Sequence, residues 1–242
     1  MATKLKSLSV FFPCYNEEKN IELLVNTALK VIPDVADSFE VILVNDGSTD
    51  NTRQVAEKAA GENACVRVVN QENMGYGGAV KRGFAESRYE WVFFSDGDLQ
   101  FDLSEISEFV AYTDDYDLII GYRKKRAEGW KRTLIAKLLR AWNMVFLGFP
   151  LFVKDIDCAF KLIRKDVLNN IGVLQSDGAM MTTELLLKAY RANYRFKQIG
   201  VSHYPRKFGK QTGDNVKVIK RAIRDTFLLR KLLRGRVAPR TP

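Results

Sequence analysis

Trp91-Val92-Phe93-Phe94-Ser95-Asp96-Gly97-Asp98-Leu99-Gln100 runs from four apolar residues, enough for a short buried strand, into two carboxylates one residue apart. Like charges so close repel unless a cation lies between them. At the extended end of a strand, alternate residues point the same way. Asp96 and Asp98 are then placed to share one hard divalent ion, Gly97 lets the backbone bend, and Gln100 adds a carbonyl oxygen on the same parity. Asp-Gly is also a common turn dipeptide, so a solvated turn competes with the metal reading.

The preceding residues alternate in period. Residues 7–12 form an apolar, β-rich run that stops at Pro13-Cys14-Tyr15-Asn16. Ile21, Leu24, Val25 and Ala28 then recur on one helical face, and the spacing predicts a helix opened by Asn16 or Glu17. A second strand over 41–44 ends at Asn45-Asp46-Gly47-Ser48, and helix 51–60 follows with Asp50 or Asn51 as its cap. A third strand over 66–69 leads through Gln71-Glu72-Asn73-Met74-Gly75-Tyr76-Gly77-Gly78 into a helix reaching Phe84; residues 91–94 make the fourth strand. Strands alternating with helices of this length predict an α/β fold, a mostly parallel sheet covered on both faces, with ligands at the strand carboxyl ends. Tyr15, Asn16, Glu17, Asp46, Asp96 and Asp98 all fall at those ends. The Gly75-Tyr76-Gly77-Gly78 turn either permits a tight strand-to-helix connection or also admits a diphosphate near backbone amides. It lacks the GxGxxG spacing of a dinucleotide site.

At 242 residues and 46% hydrophobic content, the chain holds one large domain with a proper core. Its formal charge of +9 is unevenly spread: residues 206–240 carry twelve Lys or Arg against Asp214 and Asp225. The expected division is a near-neutral catalytic domain over 1–212 and a basic amphipathic helix and tail over 213–242, whose partner is a membrane surface or another polyanion. Cys14, Cys65 and Cys158 are few, odd in number and widely spaced, which supports neither a disulfide framework nor a thiolate metal site. Residues 1–7 offer no apolar core of a signal peptide, and a cytoplasmic location is expected.

Pro13-Cys14-Tyr15-Asn16-Glu17, Val44-Asn45-Asp46-Gly47-Ser48, Asn73-Met74-Gly75 with Ala79 and Gly83, and Asp96-Gly97-Asp98-Leu99-Gln100 occur in that order. Together they resemble the family 2 glycosyltransferases of the GT-A fold. The resemblance implies an inverting transferase of Rossmann-like architecture that binds a nucleotide sugar, GDP- or UDP-linked, through Mg²⁺ or Mn²⁺. Pro13, Tyr15, Asn16, Glu17 and Asp46 would then hold the base and ribose, with Gly75 and Lys81 also in the nucleotide-sugar site. Asp96, Asp98 and Gln100 would hold the metal against the diphosphate. Asp-Leu-Gln after the first aspartate is similar to the polyprenyl-phosphate branch, of dolichyl-phosphate mannosyltransferase type, although Gly97 replaces the alanine common there.

The second half carries features of its own. Leu134, Leu138, Trp142 and Val145, with Ile135, Leu139 and Phe146 beside them, form a wide apolar helical stripe within 132–153. Lys137 and Arg140 would each cost about 2.5 to 3.5 kcal/mol at the centre of a spanning helix, so an amphipathic helix lying in the membrane interface is expected. Residues 215–234 repeat the pattern, with Val216, Ile219, Ala222, Ile223, Leu229 and Leu233 on one face. Packing on the sheet is the alternative for the first stripe; a solvated helix or a nucleic-acid arm is the alternative for the second.

Acceptor chemistry divides the readings. A lipid phosphate is already ionised and needs arginines to hold it; Arg123, Arg132 and Arg206 match positions that resemble the acceptor-phosphate arginines of the branch. A hydroxyl acceptor needs a general base, for which Asp157 and Glu184 are candidates. Asp157 also resembles a family aspartate near the donor sugar, within Cys158-Ala159-Phe160 where the family usually reads Ser-Gly-Phe. Glu184 either serves there or caps helix 183–191. The leading expectation is transfer to a polyprenyl phosphate at the cytoplasmic membrane face. The alternatives are a soluble transferase acting on a saccharide or protein hydroxyl, and a nucleic-acid-binding module using the basic tail, which four ordered motifs disfavour.

Overall fold

The computed structural model describes residues 4–124, 138, 142, 144–176, 178, 180–208 and 225–231. The strands are β1 (Leu5–Cys14), β2 (Ala36–Asp46), β3 (Val66–Gln71), β4 (Trp91–Phe94), β5 (Leu118–Arg123), β6 (Lys161–Arg164) and β7 (Phe196–Val201). They form one sheet in the order β3-β2-β1-β4-β6-β5-β7. Strands β1 to β4 pair in parallel, as do β5 and β7, while β6 runs antiparallel to both neighbours. The expected mostly parallel α/β sheet is therefore present, with one reversed strand, β6, between β4 and β5.

The helices are α1 (Ile21–Val31), α2 (Thr52–Glu62), α3 (Gly75–Glu86), α4 (Ile106–Val110), α5 (Lys165–Asn170) and α6 (Met180–Arg191). From β1 the chain steps outward to β2 and β3, then returns past β1 to β4. Right-handed crossovers with that reversal put α3 on the face opposite α1 and α2. Helix α1 accordingly touches α2, whereas α3 lies on β1 and β2 and meets α6. The reversal opens a crevice between the carboxyl ends of β1 and β4, where ligands of open α/β sheets bind.

Phe11, Phe84 and Phe94 knit α3 to that part of the sheet, with ring centroids 5.1 to 5.3 Å apart. Gly83 makes the approach possible, because a Cβ there would enter the Phe11 ring.

Two local expectations change. Helix α1 starts at Ile21, not at Asn16 or Glu17: Asn16 has a left-handed φ of 56°, and the Glu17 carbonyl accepts the first turn bonds from Asn20 and Ile21. The strand leading to the paired carboxylates ends at Phe94, so Asp96 and Asp98 lie in the turn beyond it, and Leu99 with φ of 59° breaks the assumed alternation between Asp98 and Gln100.

Residues 144–147 and 225–231 are helical, and an aromatic cluster joins them. Trp142 stacks on Phe146 with centroids 3.7 Å apart, and Phe227 meets Phe146 edge-on at 5.8 Å. Leu138, Val145 and Leu228 are exposed beside the cluster, while Leu229 is buried. Arg132 and most of the 132–143 and 213–242 stretches lie outside the described residues. No helix among the described residues is long and apolar enough to cross a membrane.

Candidate active site at the β1 and β4 carboxyl ends

The loops after β1 and β2 clasp each other through short polar side chains. The Asn16 amide donates to Ser48 Oγ at 3.0 Å, Thr49 N donates to Asn16 Oδ1 at 2.8 Å, and Glu17 N donates to Thr52 Oγ1 at 2.7 Å. This explains why Asn, Ser and Thr gather there: each serves as donor and acceptor where the backbone leaves its ladder. Asp46, buried at the end of β2, accepts from Gln71 Nε2 at 2.6 Å and from Met74 N at 2.8 Å, which fixes the loop leading to Gly75. Gly75 opens α3 with φ of 74°, a conformation that glycine adopts without a Cβ penalty. Lys81 is half-buried on α3, Pro13 is half-buried on β1, and Tyr15 is exposed beside it.

Glu17 is buried, and its carboxylate accepts from Asn20 Nδ2 at 2.5 Å and from Arg206. Burial raises its pKa despite those bonds. The Arg206 guanidinium also stands 3.8 Å from Asp98 Oδ2 and donates to the Phe208 carbonyl at 2.6 Å. Arg206 thus joins the β1 loop to the paired carboxylates after β4.

The Asp96-Gly97-Asp98 turn is held tightly. A Cβ on Gly97 would stand 3.1 Å from both the Pro13 carbonyl and Cys14 Sγ. Asp98 is buried and Oδ1 accepts from Gln100 N at 3.2 Å. The segment after β7 crosses this turn: Phe101 bridges His203, Tyr204 N donates to the Gln100 carbonyl at 2.8 Å, and Gln100 Nε2 donates to the Tyr204 carbonyl at 2.9 Å. Gln100 therefore spends its amide nitrogen on the chain, which orients its Oε1 as the remaining acceptor. Burial, and next the Asp98 charge, push the Asp96 carboxyl up to about 7, against the Tyr76 hydroxyl that donates to it and the fields of Arg123 and Lys161. Such a pair gains from a divalent cation. Among the described residues no cluster of three or more His, Cys, Asp or Glu forms a metal cage. Two carboxylates completed by substrate phosphates is the set that Mg²⁺ commonly takes, so the residues present fit that group.

Two of the predicted residues have other partners. Arg123, on β5, makes a two-pronged pair with buried Asp155, Nε to Oδ2 at 2.7 Å and Nη2 to Oδ1 at 2.8 Å. Although burial opposes the charge, Asp155 holds it fast and raises the pKa of Arg123. Its guanidinium orients the loop bearing exposed Asp157 and stands in the field of Asp96. Glu184 does not cap a helix at 183; it lies inside α6, fully buried, accepting from Gln175 N at 3.1 and 3.0 Å and Ser176 N at 2.6 Å, and pairing with Lys188 at 2.7 Å. Burial would raise its pKa, but these partners outweigh it and lower the value, so the carboxylate is ionised and committed to the preceding loop.

Sequence reasoning missed Asp155, Tyr76 and Lys161. Lys161 interrupts the apolar run from Phe160 to Ile163, and that interruption was its only signal. In the structure it is fully buried beside the site.

Residues 9–172 match the family model described as glycosyl transferase family 2. Among curated proteins, the chain is 27% identical over 219 residues to an undecaprenyl-phosphate 4-deoxy-4-formamido-L-arabinose transferase of Proteus mirabilis, covering 89% of this chain and 65% of the relative. It is 30% identical over 213 residues to a dodecaprenyl-phosphate galacturonate synthase of Rhizobium johnstonii, covering 84% and 60%. The chain spans less than two thirds of the length of these relatives. Among solved structures, glucosyl-3-phosphoglycerate synthase from Mycobacterium tuberculosis, crystallised with Mn²⁺, UDP and glucosyl-3-phosphoglycerate, superposes with a TM-score of 0.72 at 19% identity, covering 93% of this chain and 80% of that one. That likeness places the sheet and its helices in the GT-A fold. With the matched region running from β1 through α5 and taking in both sides of the crevice, the chain belongs to glycosyl transferase family 2.

Proposed function

We propose that this chain transfers a sugar, with inversion, from a nucleotide sugar to a polyprenyl phosphate at a membrane surface. The observation that carries the reading is the meeting of Glu17, Asp98 and Arg206 at the sheet's reversal point. A cation-binding pair and a half-buried guanidinium there provide for two phosphate groups, one leaving and one attacking. The names of the two curated relatives, both polyprenyl-phosphate sugar enzymes, support that choice of acceptor.

In this reading Pro13, Tyr15, Asn16, Glu17 and Asp46 line the base and ribose, with Gly75 and Lys81 near the donor. Asp96, Asp98 and Gln100 Oε1 would hold Mg²⁺ or Mn²⁺, which neutralises charge on the departing diphosphate when bound. Arg206 steers the acceptor phosphate, and Arg132 remains a proposed partner of that phosphate. Arg123 serves it indirectly, through its pair with Asp155. Asp157 orients donor hydroxyls. An ionised phosphate oxygen needs no general base, consistent with a Glu184 already committed to the protein. The exposed apolar residues around Trp142, Phe146 and Phe227 meet an anionic leaflet on the cytoplasmic side, to which the basic composition of 213–242 adds attraction.

Radiolabelled GDP-mannose, UDP-glucose and UDP-N-acetylglucosamine are each incubated with the protein, Mg²⁺ or Mn²⁺ and a short polyprenyl phosphate. Label from at least one donor should enter the lipid phase and disappear with chelator. No label in lipid from any of a broad set of nucleotide sugars would overturn the reading.

A further inference from the structure

Lys161 stands on β6 between Phe94 of β4 and Ile120 of β5, and none of its side chain reaches solvent. The next two residues, Leu162 and Ile163, are equally buried. Packing alone would favour an aliphatic side chain here, because a buried ammonium is costly unless its donors are satisfied. Its donors go to one short loop. Nζ donates to the Ile156 carbonyl at 3.2 Å and to the Cys158 carbonyl. Those two carbonyls flank Asp157, which is exposed on the same loop. Asp155, one residue further back, grips Arg123.

The other side of the ammonium faces the paired-carboxylate turn. Nζ lies 5.6 Å from the centre of the Phe94 ring, the last residue of β4, and two residues beyond is Asp96, within reach of the lysine's charge. Lys161 is thus fastened to the 155–158 loop while standing at the strand end that supplies Asp96 and Asp98.

We infer that Lys161 is a positioning residue: by holding the carbonyls on either side of Asp157, it fixes the 155–158 loop against the carboxyl end of β4 and sets the distance from Asp157 to Asp96. It acts through Asp157 and the loop and touches no substrate. The inference rests on the sugar-transfer reading for its kinetic consequence, but its structural part stands on the free protein.

The test compares wild type, Lys161→Met, Asp157→Asn and the double variant. In the free protein, amide hydrogen exchange across 155–160 should speed up by about tenfold or more in Lys161→Met while the amides of β1 and β2 keep their protection. With the nucleotide sugar that wild type turns over and a polyprenyl phosphate, kcat should fall by about tenfold or more, the size expected when a reacting constellation is displaced slightly. The donor KM should move by less than about threefold. The double variant should be no slower than the slower single variant, because both changes disable one device. Unchanged exchange over 155–160, or losses in kcat that multiply in the double variant, would overturn the inference. Should Lys161→Met not fold, Lys161→Gln, which keeps a donor amide, carries the same comparison with smaller effects in the same direction. Wild-type inactivity with every donor would defeat the transfer reading instead, and the exchange result would then decide on Lys161 alone.

Discussion

The Arg206 guanidinium is ion-paired with the Glu17 carboxylate, 189 residues earlier in the chain, while standing 3.8 Å from Asp98. One side chain thus ties the loop after β1 to the turn after β4. Replacing Arg206 with Ala removes this link and the proposed phosphate donor together. Loss of charge-assisted hydrogen bonds of about 1.5 to 3 kcal/mol predicts a fall in kcat/KM for the lipid phosphate of about 10- to 150-fold. Steady-state kinetics with varied acceptor checks this; wild-type kinetics in the variant would remove Arg206 from the site.

The turn after β4 predicts a different pattern. Asp98→Asn keeps size and the bond from Gln100 N but removes a charge from the proposed cation-binding pair. Turnover should drop by about 100-fold or more, comparable to deleting a group that stabilises transition-state charge, and Mn²⁺ titration followed by electron paramagnetic resonance should show weakened binding. The thermal midpoint should stay level or rise, since a buried negative charge has been deleted. Full activity would remove Asp98 from the metal assignment.

Helix α3 depends on Gly83. Alanine gains about 1 kcal/mol in helix propensity, yet its methyl group would collide with the buried Phe11 ring. Overpacking typically costs about 1 to 3 kcal/mol, so Gly83→Ala should lower the urea midpoint modestly. A stabilised variant would mean that α3 can shift off β1 without penalty.

Away from the site, Glu40 accepts from Ser9 Oγ at 2.7 Å, Arg67 Nε at 2.9 Å and Arg88 N at 2.9 Å. Burial alone would raise its pKa, but the bonds from Ser9, Arg67 and Arg88 outweigh it and hold the carboxyl below its ordinary 4.5. With the folded value depressed, the stabilisation is complete above the ordinary value and lost as pH falls through the folded one. Wild-type unfolding free energy should therefore fall more steeply below pH of about 4.5 than that of Glu40→Gln. Urea titrations at a series of acidic pH values measure the difference; parallel curves would deny Glu40 this role.

The first hundred residues were legible because their elements are local. β1 through β4 each carry an apolar run that stops at polar or turn-forming residues, and several of those residues gather at the candidate site. The boundaries of β4 coincide with the apolar run 91–94. The rest depended on distant pairing. β6 has only four residues, two of them cationic, and its antiparallel place between β4 and β5 follows from sheet completion, not from any local pattern. Arg123 read as free for a phosphate because Asp155 is 32 residues away. Glu184 read as a cap or base because the loop amides it satisfies come before its helix. The alternation argument failed for Asp96 and Asp98 because β4 ends at Phe94, and for Gln100 at Leu99, whose positive φ no composition signals.

The acceptor is where the reading is most exposed. Polyprenyl phosphate and the polyprenol of the same chain length differ only in the phosphate, so they separate an arginine-held ionised nucleophile from a hydroxyl that needs a base. With one labelled nucleotide sugar and saturating Mn²⁺, the rate of label entry into each lipid is measured side by side. The phosphate should be glycosylated and the alcohol left unmodified, giving a lipid-phosphate sugar whose label is released by mild acid. Transfer to the alcohol or another hydroxyl acceptor, with none to the phosphate, would contradict the proposed reaction.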